Sequence, residues 1–194
     1  MVTTNDKLMQ WGKEPTENDR GKYVAVKVKN AQELYDWYSN QGIEVIPADE
    51  LHCTIAYSKK DFECEVSKED IFVSEFNTYL EPLGDDGAVV LKIHSQELQD
   101  RFNRCMLAGA TYDYPSYKPH ITISYKEIDN IKDIKQPDFD IILGDEYTNI
   151  LNENWKEDLE EKMENENDWY VKYNRTTTIY FSSVYSSYNL SNCI

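Results

Sequence analysis

The chain has 194 residues, of which 40% are hydrophobic, so it has the composition of a globular domain and not of a disordered one. Its formal net charge of −16 argues against sequence-independent binding to DNA or long RNA, although a local pocket can still hold one or two phosphates. No apolar run reaches the roughly 18 residues of a membrane span, and the start MVTTNDKLMQ lacks a signal-peptide core, so we expect a cytoplasmic protein without membrane contact.

The first half of the chain predicts a strand, a helix and a second strand, after an irregular lead-in over residues 1–20. KYVAVKV (22–28) alternates as a strand does. Asn30 is expected to cap the helix AQELYDWYSNQ, which Gly42 ends. The next predicted strand, Leu51–Ser58, opens with HCTIAY.

The second half predicts the same order of elements. IFVSEFNTYLEPL alternates as one strand, and LGDDG after it favours a turn. AVVLKIH (88–94) predicts a strand, and Ser95 caps the helix QELQDRFNRCMLAG, which Gly109 ends. Another strand, Pro119–Tyr125, contains HITISY.

The last part of the chain predicts one more strand, FDIILG (139–144), an acidic helix (154–165) and a strand TTTIYFSSVY (176–185). We therefore predict a domain over residues 21–150. Residues 151–194 are expected to form an acidic, Tyr/Ser-rich extension packed on that domain.

The two halves, residues 22–58 and 88–125, share the order strand, capped helix, glycine stop, connection and histidine strand. This order indicates a diverged internal duplication. Two related halves usually pack about a pseudo-twofold axis, which would make their histidine strands neighbours.

The two histidine strands carry the chemical signal, because two of the three histidines open them. Same-face neighbours on a strand are about 6.6 Å apart, so each histidine lies beside the threonine two residues on. The pairs are His52 with Thr54 and His120 with Thr122. The alternate positions, Cys53, Ile55, Ile121 and Ile123, should face an apolar core.

A cleft with two imidazoles and two hydroxyls suits a phosphodiester. One imidazole takes a proton from an attacking hydroxyl and the other gives one to the departing oxygen, because both titrate near neutral pH. The threonine hydroxyls can bond the non-bridging oxygens. No cofactor or metal is expected, and the repeat leaves the two histidines interchangeable as acid and base. His94 lacks a threonine partner and is interpreted as structural.

Other polar residues on these strands are weaker candidates. Tyr23 can stack on a nucleobase or pack at an edge, and the two interpretations are about equal. Ser124 is a candidate phosphate contact, as is Ser58, although both also suit a polar strand end. Tyr57 and Tyr125 fall on the face away from the histidines and are expected to pack in the core.

The four cysteines form no CxxC pair, which favours neither a zinc site nor a disulfide framework. Cys53 and Cys105 lie in apolar patterns. We expect both to fill the core.

The paired HCT and HIT strands resemble the signature of the 2H phosphoesterase superfamily, which is H-x-T/S twice on a two-lobed α+β fold. The segments LHCTIAYSKK, LGDDGAVVLKI and AGATYDYPSYKPHITISY are similar to those of the phage anti-CBASS nuclease family, as is GDE (144–146) with a tryptophan nine residues on. The resemblance covers roughly residues 20–156. It implies antiparallel sheets around a central cleft with pseudo-twofold symmetry.

The resemblance also implies a function, the metal-independent cleavage of 3′–5′ bonds in cyclic di- and trinucleotides that signal in bacterial antiphage defence. The ribose 2′-hydroxyl attacks phosphorus and leaves a 2′,3′-cyclic phosphate. His52, Thr54, His120 and Thr122 would carry the reaction. Glu146 and Trp155 would hold a base, although a surface acid and a helix anchor explain them as simply.

The predicted partner is therefore a cyclic oligonucleotide, with no long nucleic acid and no membrane, in the host cytoplasm if a phage encodes the chain. The prediction also allows a homo-oligomer. One alternative is a related phosphodiesterase that acts on RNA ends or 2′,3′-cyclic phosphates. The other is a non-catalytic protein that sequesters a cyclic nucleotide.

Overall fold

The fold was determined from a computed structural model, which describes residues 21–83, 87–128, 130–151 and 161. The chain divides into two compact units, Met1–Leu151 and Asn152–Ile194. Apart from Glu161, the described residues lie in the first unit. The acidic helix and the Tyr/Ser-rich strand predicted after residue 151 lie outside the described residues. Among the described helices, none is long and apolar enough to span a membrane.

The first unit is built on one antiparallel sheet of seven strands in the order β3-β7-β1-β2-β6-β5-β4. The predicted α+β class is confirmed, and the strands of both halves join in this single sheet. The strands are β1 Lys22–Val28, β2 His52–Ser58, β3 Ile71–Val73, β4 Thr78–Leu83, β5 Ala88–Ile93, β6 His120–Ser124 and β7 Ile141–Ile150.

Two helices, α1 (Ala31–Ser39) and α2 (Gln96–Leu107), cover one face of the sheet, which we call the helix face. Their buried residues join one apolar cluster with the alternate residues of the histidine strands, as predicted. The cluster includes Leu34, Tyr38, Cys53, Ile55, Leu98, Cys105, Ile121 and Ile123. The histidines therefore lie on the other face.

The helix boundaries follow the predicted signals with one exception. Ser95 Oγ accepts a hydrogen bond from the Leu98 amide at the start of α2, and Gly42 and Gly109 adopt left-handed backbone angles after each helix. Asn30 makes no side-chain cap on α1. Its Oδ1 instead accepts the Ile142 amide of β7, so the residue ties the helix start to the sheet.

The prediction of one strand over IFVSEFNTYLEPL is wrong. A short 3-10 helix, Glu75–Asn77, breaks it into β3 and β4, which lie at opposite edges of the sheet. The Thr78 hydroxyl donates to the Glu75 carbonyl and satisfies a backbone acceptor in this turn. Apolar and polar residues happen to alternate through the whole segment, so the sequence pattern did not reveal the 3-10 helix between the two strands.

The two repeats match in backbone detail. The ladder between β1 and β2 shifts register between Val24 and Ala25, and that between β5 and β6 shifts between Val89 and Val90. Such bulges bend a strand and increase its twist. The same irregularity in both halves supports the predicted duplication.

Candidate functional site

Strands β2 and β6 are direct neighbours, and their register brings the two H-x-T motifs together. Cys53 pairs with Ile121 in this antiparallel ladder. One step in each direction sets His52 across from Thr122 and Thr54 across from His120, all on one face. Residues directly across such a ladder have Cβ atoms about 4.5–5.5 Å apart, and the diagonal pair of histidines about 7–8 Å. This face of the sheet, named the histidine face, therefore carries two imidazoles and two hydroxyls in a square.

Both imidazoles are held in the same way. His52 Nδ1 lies 2.7 Å from the Glu50 carbonyl oxygen, and His120 Nδ1 lies 2.8 Å from the Lys118 carbonyl oxygen. A carbonyl only accepts, so each Nδ1 carries the proton and each Nε2 is the atom left for substrate. In each case the carbonyl belongs to the residue two positions before the histidine.

Tyr23 extends the histidine face on one side of His52. Its ring centroid is 6.5 Å from that of His52 and 6.1 Å from that of Tyr147, and its hydroxyl accepts from Asn149 Nδ2 at 3.3 Å. Tyr147 was not singled out from the sequence. It pairs with Ala25, which in turn pairs with Thr54, so it shares the histidine face. The Tyr23 ring thus lies between the His52 imidazole and a second aromatic ring.

The prediction that Tyr57 and Tyr125 pack in the core is wrong, because they are 46% and 38% exposed. The register shifts leave one extra residue before each tyrosine, Ile55 in β2 and Ile123 in β6, so the alternation is reversed and both tyrosines fall on the histidine face. The Tyr125 side chain forms a hydrogen bond with Thr122, while partial burial raises its pKa. Tyr125 therefore contacts one of the two candidate hydroxyls.

Two lysines that the sequence analysis missed lie across from the histidines. Lys27 of β1 pairs with His52, and Lys92 of β5 pairs with His120. Each lysine precedes the helix of its own repeat by four residues, a match that an alignment of the two repeats would have revealed. The histidine face therefore carries cations, although the whole chain is strongly acidic.

The electrostatic surroundings of His120 shift its titration. Burial lowers the pKa of this imidazole from its ordinary value of 6.5, and the positive charges of Lys92 and His52 lower it further. The Lys118 carbonyl and Glu81 act in the opposite direction. The net effect favours the neutral ring, which is the form that accepts a proton.

The structure does not bring Glu146, the predicted base-binding residue, to the histidine face. Its carboxylate is buried and lies 2.9 Å from Nη1 of Arg101, on α2. Arg101 also contacts Glu97 Oε1 at 2.6 Å and donates to the Glu69 carbonyl. Since α2 covers the helix face, the sheet lies between Glu146 and the histidines. The GDE segment marks a buried ion pair here.

Ser124 does not lie open to substrate either. It is 1% exposed, and its hydroxyl accepts the Lys126 amide just after β6. Ser58 is fully buried and its hydroxyl bonds with Lys60 and Thr111, in agreement with a strand-end role. Trp155 lies outside the described residues. His94 stacks on Tyr79, with ring centroids 5.4 Å apart, and is exposed.

Comparison with known proteins identifies relatives of the chain. The family described as "Anti-CBASS protein Acb1" matches residues 20–158. An anti-CBASS protein Acb1 of Caulobacter sp. (strain RHG1) is 34% identical over 149 residues, which are 72% of this chain and 24% of that protein. The one of Acinetobacter phage Ac42 is 30% identical over 147 residues, which are 71% of this chain and 95% of the phage protein.

The chain spans about a quarter of the length of the Caulobacter and Sphingomonas paeninsulae relatives, with 24% and 23% covered. Among solved structures, the crystal structure of E. coli LigT complexed with 3′-AMP is 13% identical, with a TM-score of 0.46 over 69% of this chain and 95% of LigT. The family match extends over well more than half of the sequence. This chain belongs to the anti-CBASS protein Acb1 family.

Proposed function

We propose that this chain is a metal-independent phosphodiesterase that hydrolyses the 3′–5′ bonds of cyclic di- and trinucleotide second messengers, and so counteracts CBASS antiphage defence. The observation that carries the proposal is the pairing of Cys53 with Ile121, because it sets both H-x-T motifs on one face of the sheet. The family to which the chain belongs supports the biological role.

The proposed reaction uses the ribose 2′-hydroxyl next to the scissile phosphate. One imidazole removes the 2′-hydroxyl proton, the oxygen bonds to phosphorus, and the other imidazole protonates the departing 5′-oxygen. The hydroxyls of Thr54 and Thr122 bond the non-bridging oxygens, on which charge grows in the transition state. Water then opens the 2′,3′-cyclic phosphate to a 3′-phosphate. The histidines supply both proton transfers.

The rest of the histidine face offers contacts for the ligand. The half-buried Tyr23 ring lies beside His52 and packs edge-on against Tyr147, and stacking of a base on an aromatic ring contributes about 1–3 kcal/mol. Lys27 lies across from His52 and is exposed, so its charge can attract a phosphate. A small dianionic ligand therefore fits this surface better than a long polyanion, which the overall charge of −16 would repel.

Incubation of the protein with cyclic GMP–AMP in excess EDTA, followed by chromatography, tests the proposal. We expect a linear product that ends in a 2′,3′-cyclic phosphate or a 3′-phosphate. Nucleotide that is bound but unaltered would indicate a sequestering protein. Neither binding nor cleavage would favour the enzyme that acts on RNA ends or 2′,3′-cyclic phosphates, and a parallel assay on 2′,3′-cyclic AMP would detect that activity.

His52→Ala and His120→Ala variants test the assigned residues. Each should lower turnover by at least about 10²-fold, because a positioned acid or base contributes about 10²–10⁴-fold. His94→Ala is the matched control and should keep normal turnover, since His94 is exposed and stacked on Tyr79. Near-normal rates from either of the first two variants would defeat the assignment.

A further inference from the structure

The two repeats agree in backbone but differ in charge next to the histidines. Lys27 and Lys92 occupy the same position in their repeats, and each lies directly across a ladder from one histidine. A perfect twofold would give both imidazoles the same neighbour in the same setting. The structure breaks that symmetry at the lysine side chains.

Lys92 is buried, whereas Lys27 is exposed. Lys92 is 4% exposed, and its ammonium lies 3.0 Å from a carboxylate oxygen of Glu81 on β4. The Lys27 ammonium instead lies over the Tyr147 ring, 5.8 Å from its centroid. A charge fixed in a poorly solvated place acts more strongly on its neighbours than one in water. His120 therefore has a fixed cation at its side, and His52 has a solvated one.

The charged and titratable groups that act on His120 come from three strands. Burial is the largest effect and opposes its protonation, Lys92 on β5 and His52 on β2 also oppose it, and Glu81 on β4 favours it. The Lys118 carbonyl, which accepts from Nδ1, also favours the protonated ring. Lys92 and Glu81 form one ion pair, so their opposite effects on the pKa of His120 partly cancel. The effect of Lys92, which pairs with His120 in the ladder, is the larger of the two.

We propose that buried Lys92, held by Glu81, makes the two histidines inequivalent, so that His120 is the general base and His52 the general acid. The assignment of roles rests on the function proposed above. The inequivalence itself is a property of the free protein and can be measured without substrate. Lys92 is a positioning residue in this scheme, since it acts through His120.

The chemical step follows from the assignment. Neutral His120 takes the proton of the 2′-hydroxyl at Nε2 as the oxygen forms its bond to phosphorus. Protonated His52 gives its Nε2 proton to the 5′-oxygen as the bond between phosphorus and that oxygen breaks. The enzyme ends with His120 protonated and His52 neutral. Opening of the cyclic phosphate by water reverses both transfers and restores the starting state.

Nuclear magnetic resonance titration of the ring Cε1–H signals tests the inequivalence, because the chain has only three histidines. His120 should titrate at lower pH than an ordinary imidazole, whose pKa is 6.5. In Lys92→Met the His120 titration should move to higher pH, whereas in Glu81→Gln it should move to lower pH. Lys27→Met is the matched control and should leave His120 unchanged.

The two variants should shift the His120 titration in opposite directions. A simple loss of structure would not produce such opposite shifts. Gln at position 81 keeps a side-chain oxygen that can accept from the buried Lys92 ammonium, and position 81 is partly exposed, with 34% of the Glu81 side chain accessible, so Glu81→Gln is the second variant if Lys92→Met does not fold. A His120 titration at or above the ordinary value of 6.5, or one that neither variant moves, would overturn the role of Lys92.

A change of leaving group tests the roles. A nucleoside 3′-(4-nitrophenyl phosphate) releases nitrophenolate, which needs no proton, so a missing general acid matters little on it. His52→Ala should lose activity on cyclic GMP–AMP yet stay within about tenfold of the normal rate on the nitrophenyl ester. His120→Ala should lose both activities. The reverse pattern would overturn the assignment of base and acid.

The two tests separate the two ideas. If the unaltered protein cleaves neither the cyclic dinucleotide nor the ester, the proposed function fails and the acid and base roles fail with it. The titrations would still decide whether Lys92 sets His120 apart from His52. If cleavage occurs but the titrations coincide, the proposed function stands and the inference about Lys92 is wrong.

Discussion

At the scale of single residues, the candidate site depends on hydrogen bonds that the backbone makes with two imidazoles. The carbonyls of Glu50 and Lys118 fix the proton on each Nδ1, so Nε2 remains the acceptor on both rings. Thr54 and Thr122 lie on the same face with hydroxyls that can donate to a phosphate. In the proposed reaction, the sheet would hold these four side chains in a preorganised arrangement.

Replacement of either threonine by valine tests this preorganisation. Thr54→Val and Thr122→Val should each lower kcat by about 10²–10³-fold, as the loss of one donor to a developing oxyanion does. Serine at the same positions should restore most of the rate, because it keeps the hydroxyl. Thr148→Val, at an exposed position on β7, serves as the control. A valine variant with normal kcat would show that the replaced threonine does not stabilise the transition state.

The shifted pKa of His120 predicts the acid side of the activity profile. Burial and the nearby cations lower this pKa, so the ring stays unprotonated to lower pH than an ordinary imidazole with a value of 6.5. If the neutral ring is the base, the acid-side decline of kcat/KM should have its midpoint below pH 6.5. Measurement of kcat/KM across pH at constant ionic strength tests this, and a midpoint above pH 6.5 would contradict it.

At the scale of secondary-structure elements, an ion pair joins α2 to β7. The Arg101 and Glu146 side chains are 3% and 1% exposed, and Arg101 has a second carboxylate partner in Glu97. A buried charge that loses its partner is strongly destabilising. The pair therefore fixes the helix to the strand and explains why Glu146 is unavailable on the histidine face.

Two substitutions in this pair should differ in their effect on stability. Arg101→Met strands the Glu146 carboxylate in the interior and should lower the free energy of unfolding by about 3–5 kcal/mol. Glu146→Gln should cost less, because Arg101 keeps Glu97 and the Glu69 carbonyl. Urea unfolding followed by circular dichroism measures both. If Glu146→Gln leaves stability unchanged but weakens nucleotide binding, Glu146 contacts the ligand instead.

At the scale of the whole molecule, the described part of the chain has the candidate site on the histidine face and the apolar core on the helix face. The apolar cluster lies on the helix face with both helices, and two thiols meet at its border. The sulfurs of Cys64 and Cys105 are 2.9 Å apart and the residues lie 41 positions apart in the chain. Cys64 belongs to the segment between β2 and β3, so this contact ties a long connection to α2.

Oxidation should therefore link Cys64 to Cys105. Treatment with the thiol oxidant diamide should remove two hydrogens from the protein and join these residues in a peptide map. Burial raises the pKa of the Cys105 thiol, so the reaction should be faster at alkaline pH. Closure of this loop should stabilise the fold by at most about 4 kcal/mol, seen as a higher urea midpoint. Cys64→Ser should abolish both effects, and linkage through another cysteine would refute the pairing.

The sequence by itself determined the parts of this protein that depend on local periodicity. Alternation along HCTIAY and HITISY set each histidine beside its threonine and sent the intervening residues to the core, and the repeated order of elements predicted that the two strands are neighbours. These features follow from the two-residue period of a strand and from the capping and stop residues of helices, which neighbours in the chain decide.

Tertiary structure decided what depends on contacts between distant residues. It split IFVSEFNTYLEPL between two sheet edges, buried Glu146 against Arg101, and left Tyr57 and Tyr125 exposed. It also set Lys27 and Lys92 across from the histidines and buried only the second. The two-residue hydrophobic period and the composition of a strand predict on which face each of its side chains lies. They do not predict which strand is its neighbour in the sheet, and the residues of that neighbouring strand determine the charges around each side chain.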